Sequence, residues 1–144
     1  MFGKKQIGDV VAISACSDSN IQKLLELSNS FSDSDKFILL LENKEKIPGR
    51  IIPGYINAKL KQYEKSMRSS SLQKEVLLFI AGTMNIKNAI EKVGAKSESD
   101  FIVFGNSEKL LLEFIKLGKL KKVKKIDLSL DFKTAYEVAY SGLE

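Results

Sequence analysis

Histidine is absent from the 144 residues and cysteine occurs once, and these two shortages remove most of the chemistry a small protein can carry. Without histidine the chain lacks the commonest general base and the commonest metal ligand. With Cys16 alone it can form neither an internal disulfide nor the thiolate set of a structural zinc site, and a lone thiol fits a reducing compartment. No apolar run approaches the roughly 18 residues of a membrane span. Val10 to Ala15, although it follows Lys4 and Lys5, is too short for a signal peptide and reads as a first strand. Phosphate-cradling loops are missing as well: the glycine-lysine pairs Gly3-Lys4 and Gly118-Lys119 lack the flanking spacing of a P-loop, and there is no GxGxxG. Asp and Glu are scattered along the chain with no legible catalytic pair, so they read as solvated surface. No internal repeat or low-complexity tract is present. The expectation is a soluble, cytoplasmic protein that is not an enzyme and needs neither cofactor nor metal.

What is present belongs to one ordinary domain, with 44% hydrophobic and 28% charged residues. The net charge of +5 and a sequence pI of about 9.2 make polyanions plausible partners, although overall basicity alone more often serves solubility. The distribution is more informative. Arg50 to Lys74 holds six basic residues against Glu64 alone, and Lys116 to Lys125 holds six with no acid, so the molecule has a basic side.

Along the chain, Asp9 to Ala15 reads as a strand and Ile21, Leu24, Leu25 and Leu27 as the apolar face of a helix capped by Asp18 or Ser19. Phe37 to Leu41 is a second strand. Glu42 to Gly54, with Pro48-Gly49 and Pro53-Gly54, reads as a loop, and Ile56 to Met67 as a helix. Val76 to Ile80 has the length of a strand buried on both faces, and Ala81-Gly82 turns the chain into a helix capped by Thr83 and stopped by Gly94. Such a strand-turn-helix unit points the backbone N–H groups of Gly82 to Asn85 outward, toward an anion. Phe101 to Phe104 is a further strand. Ser107 caps a helix that Gly118 ends, lysines separate Leu120, Val123 and Ile126, and Asp131 opens a last amphipathic helix. The fold class is α/β or α+β: a single domain of residues 1–144 with a mixed sheet of about four strands and helices packed against it. Strand order is not legible from periodicity.

The stretch Glu75 to Gly94, EVLLFIAGTMNIKNAIEKVG, resembles the central block of the smallest, kinase-binding regulatory subunit of the KEOPS complex, the assembly that makes threonylcarbamoyladenosine in tRNA. Gly82, Thr83 and Ile86 match that family's turn, Ala89 and Ile90 its helix, and Gly94 the helix end. Met84 stands where the family often has Arg, and Asn85 where it often has Gln. The resemblance implies a non-catalytic adaptor that recruits tRNA through its 3′ CCA end and docks on an atypical kinase, stimulating it. Lys59, Lys61, Lys65 and Arg68 would attract phosphates, Gly82, Thr83 and Asn85 would meet a base edge, and Tyr63, Met84 or Phe79 would offer an apolar platform. On the apolar helices, Leu110, Phe114, Leu117, Tyr136 and Tyr140 are the candidates for the kinase surface. A stand-alone basic RNA-binding module and a small enzyme using carboxylates and backbone amides are the other readings.

Overall fold

The computed structural model describes residues 10–128, and the expected helix from Asp131, with Tyr136 and Tyr140, lies outside them. Among the described residues four strands, β1 (Val11–Ser17), β2 (Ile38–Glu42), β3 (Phe101–Gly105) and β4 (Leu120–Lys125), form one sheet in the order β2-β3-β1-β4. All three ladders are antiparallel, where a mixed sheet was expected. Five helices among the described residues pack around it: α1 (Ile21–Phe31), α2 (Pro48–Tyr63), α3 (Leu72–Ala81), α4 (Ile86–Val93) and α5 (Glu108–Leu117).

Strand alternation divides the core into two layers. Leu39, Leu41, Ile102, Phe104 and Ala12 point to the face covered by α2, α3 and α4. There Phe37, Tyr55 and Phe104 form a ring cluster with centroids 5.4 to 6.2 Å apart. Ile38, Leu40, Val103, Phe101, Ile13 and Ala15 point to the other face, under α1 and α5, where Phe31 meets Phe114 edge to face. The strand predictions at 9–15, 37–41 and 101–104 correspond to β1, β2 and β3.

The largest correction concerns Val76 to Ile80, which is the body of helix α3 and not a strand. Eight of the ten α3 residues are buried, because the helix lies between α2, α4 and the sheet; a helix enclosed on all sides loses the polar stripe that would betray its period. Its ends carry ordinary signals: the Ser71 hydroxyl accepts from Lys74 N–H, and Gly82 closes it in the left-handed region at φ 71°. The fourth strand is instead β4, where lysines interrupt the apolar residues.

The supposed loop 42–54 is also corrected. Pro48 occupies the first turn of α2, where its missing N–H costs nothing, and Pro53 lies inside the helix, which continues to Tyr63. Gly54 is there for packing: a Cβ at this position would lie 2.8 Å from Ile80 Cγ1, so α2 lacks a side chain where the Ile80 side chain of α3 presses against it. The two helices run antiparallel, since Arg50 near the start of α2 donates from Nε to the Ile80 carbonyl near the end of α3 at 2.6 Å. Helix α1 is capped by Asn20, whose Oδ1 accepts from Lys23 N–H at 2.9 Å, and not by Asp18 or Ser19.

Candidate nucleic-acid interface

The expected interface divides into two places. Lys59, Lys61 and Tyr63 are on the last turns of α2, and Lys65 and Arg68 on the connection into α3. Gly82 to Asn85 follow the opposite end of α3, a helix of roughly 15 Å at 1.5 Å per residue. A strand-turn-helix unit would have brought them no closer in sequence, but the helical hairpin holds them apart along a rigid element.

The two groups also differ in what they offer. Tyr63 is 87% exposed beside half-exposed Leu60, and Lys65 is exposed, so this end of the hairpin presents an aromatic ring among cations. The Lys59 ammonium donates to Gln62 Oε1 at 3.0 Å. Arg68 is withdrawn from any phosphate role: its guanidinium is turned inward, paired with buried Glu75 and lying over the Phe79 ring. Phe79 is itself a core residue, 3% exposed, and cannot serve as a platform.

At the Gly82 turn three of the four expected outward N–H groups, those of Gly82, Thr83 and Asn85, already have acceptors. Gly82 N–H and Thr83 N–H both donate to the Leu78 carbonyl, at 2.9 and 3.2 Å, closing α3. The cap of α4 is Asn85, whose Oδ1 accepts from Asn88 N–H at 3.1 Å, and not Thr83. Met84, 56% exposed, is the apolar tip of the turn.

A cationic cleft of about 560 Å³, which sequence reading missed, opens beside this turn. The segment after β2 contributes Lys44 and Lys46, the first turn of α2 Arg50, and α4 Lys92; Ile47 and Gly82 line its wall, with Glu45 the one acid there. Arg50 Nε and Lys92 Nζ donate to the Ile80 and Ala81 carbonyls at 2.6 and 3.1 Å, at the end of α3 where the helix dipole is negative. That contact holds two cations at the mouth of the cleft. Lys44 is 3.3 Å from Glu42, whose other oxygen accepts from Lys96; these ammonium groups, Lys96 foremost, hold the Glu42 carboxyl below its ordinary pKa. Lys46 makes no ion pair among the described residues. The volume is that of a small-ligand site, and its chemistry suits an anion: converging cations without a carboxylate pair or, among the described residues, a cluster of three metal-ligating groups. A sequence signal existed in the lysines of 44–46 and Arg50, but they were assigned to a loop, and Lys92 reaches them only through the α3–α4 turn.

Of the candidates for a protein surface, Phe114 is fully buried against Phe31 and Leu110 is half-buried against the α1–α5 core layer, so Phe114 is corrected to a core role. Leu117, 59% exposed, and Leu112, 60% exposed, stand on the outside of α5. Compared with models of known protein families and with curated proteins, the chain matches none.

Proposed function

We propose that the protein is a non-catalytic adaptor that holds an RNA end in the cleft beside Gly82 and docks a protein partner through the outer face of α5, as expected of the KEOPS regulatory subunit that residues 75–94 resemble. The observation that carries this reading is that Lys44, Lys46, Arg50 and Lys92 line one cleft with Gly82, Gly82 and Lys92 belonging to the block that carries the resemblance. Ammonium groups attract phosphate without regard to sequence, and a guanidinium oriented through Nε suits a phosphate oxygen. Met84 at the rim provides apolar surface for an unstacked base. The partner of stated kind is the small atypical kinase, and Leu117 the residue expected to meet it.

Gel shift with tRNA and with tRNA trimmed of its CCA end tests the first half. Lys46→Ala/Lys92→Ala is expected to weaken binding of the intact RNA at least fivefold and to leave the trimmed RNA unaffected; equal wild-type affinity for the two RNAs rules out end recognition. Capture of the kinase by wild type, and its loss in Leu117→Glu, tests the second. A stand-alone RNA-binding module is the second reading, favoured by exposed Tyr63 among lysines at the far end of the hairpin, and failure of kinase capture with retained RNA binding selects it.

A further inference from the structure

We infer that β4 is a second RNA-contacting surface, a cationic ridge that lies along a groove of duplex RNA and grips the phosphates on its two sides. The inference rests on the reading of RNA as the ligand but not on the cleft. Among the described residues β4 is an edge strand, paired only with β1, and every residue from Lys121 to Lys125 is exposed. Lys121 and Lys124 share a face with their partners Cys16 and Ser14, whereas Lys125 opposes Ile13 on the other face. Between them the register shifts by one residue, and Lys122 adopts φ 53° in this bulge, exposed to solvent. The strand thus carries positive charge on both faces of one free edge, extended by Lys116 and Lys119, with Asp18 on Lys121 as the one acid paired to the ridge among the described residues.

Lysines on an edge also keep it from pairing with another strand, and a bulge serves the same end. That role is met by charge anywhere on the edge. Cations displayed on both faces of a six-residue strand, roughly 20 Å long, match instead two rows of phosphates flanking a groove. A-form duplexes are recognised mainly through backbone and shape, which suits ammonium groups that read no base.

The probe is a blunt twelve-base-pair RNA duplex, which has no single-stranded end to enter the cleft, so the result is independent of end recognition. Fluorescence anisotropy with the full chain at low salt is expected to show binding that weakens on the order of tenfold in Lys121→Gln/Lys122→Gln/Lys124→Gln/Lys125→Gln, with the slope of log affinity against log salt reduced by about three. The control Lys23→Gln/Lys36→Gln/Lys109→Gln, at exposed lysines away from both surfaces, is expected to change affinity less than twofold. Absence of duplex binding by wild type, an unchanged affinity in the β4 variant, or an equal loss in the control overturns the proposal. Should the fourfold variant lose its cooperative melt, Lys124→Gln/Lys125→Gln is read in its place, with a loss of about threefold expected and no loss overturning it.

Discussion

Arg68 and Glu75 form a closed pair at the turn between α2 and α3. Glu75, with no exposed surface, accepts from Arg68 Nε through Oε2 at 3.2 Å, and through Oε1 from the Arg68 and Ser69 backbone N–H groups and the Ser69 hydroxyl at 2.9 to 3.0 Å. Arg68 in turn lies 4.4 Å from the Phe79 ring centroid, and its Nη2 is buried without a partner. The carboxylate therefore organises the turn as well as neutralising the guanidinium. Glu75→Ala, which leaves a buried cation and two N–H groups uncompensated, is expected to cost about 3 to 5 kcal/mol in urea denaturation; a loss below about 1 kcal/mol would show that water replaces the carboxylate.

The crossing of α2 and α3 predicts a contrast between two glycines. Gly54→Ala places a methyl group 2.8 Å from Ile80 Cγ1, and overpacking of about 1 to 3 kcal/mol outweighs or cancels the gain of about 1 kcal/mol in helix propensity. Gly49→Ala meets nothing within 4 Å and is expected to be neutral or stabilising. Thermal melts of the two variants check this; a stabilised Gly54→Ala would show that the helices separate freely.

On α5, burial separates two apolar residues that sequence treated alike. Phe114→Ala is expected to cost about 3 to 5 kcal/mol, since the ring is fully enclosed. Leu117→Glu should change stability by no more than about 0.5 kcal/mol. Circular dichroism through a denaturant series measures both, and the second value decides whether a lost partner contact in that variant reflects the surface or the fold.

The depressed Glu42 carboxyl predicts a pH effect of defined sign. The folded state, with Lys96 and Lys44 beside the carboxylate, releases this proton more readily than the unfolded chain, so the stabilisation is complete above the unfolded pKa and is lost as pH falls through the folded one. Glu42→Gln should therefore be less stable than wild type near neutrality and converge with it in acid, once pH falls below the folded-state pKa. Parallel stability curves across the acid range would contradict the pairing.

Amphipathic periods and some helix caps were legible in the chain because they are local: Ser107 and Gly118 bound α5, Gly94 ends α4, and alternating or continuous apolar runs mark β1, β2 and β3, whereas the caps of α1 and α4, Asn20 and Asn85, lie one or two residues past those expected. Local signals misled where burial is complete. The run Val76 to Ile80 reads equally as an inner strand, and Pro53-Gly54 equally as a loop, until α2 is seen to need a missing side chain in order to lie against Ile80. The candidate interface suffered most. Residues 59–68 and 82–85 lie at opposite ends of segment 72–81, which spans roughly 15 Å as a helix and would have separated them further as a strand, so sequence proximity did not amount to one surface.

Composition and local pattern alone thus determined the basic character, the shortage of catalytic side chains and the α/β class, since charge and residue type are properties of the chain whatever its path. Which cations meet was decided by tertiary structure: Lys44, Arg50 and Lys92 converge because α2 and α3 pack antiparallel and the Gly82 turn brings α4 back to the start of α2, a relation between distant segments that no period in the sequence encodes.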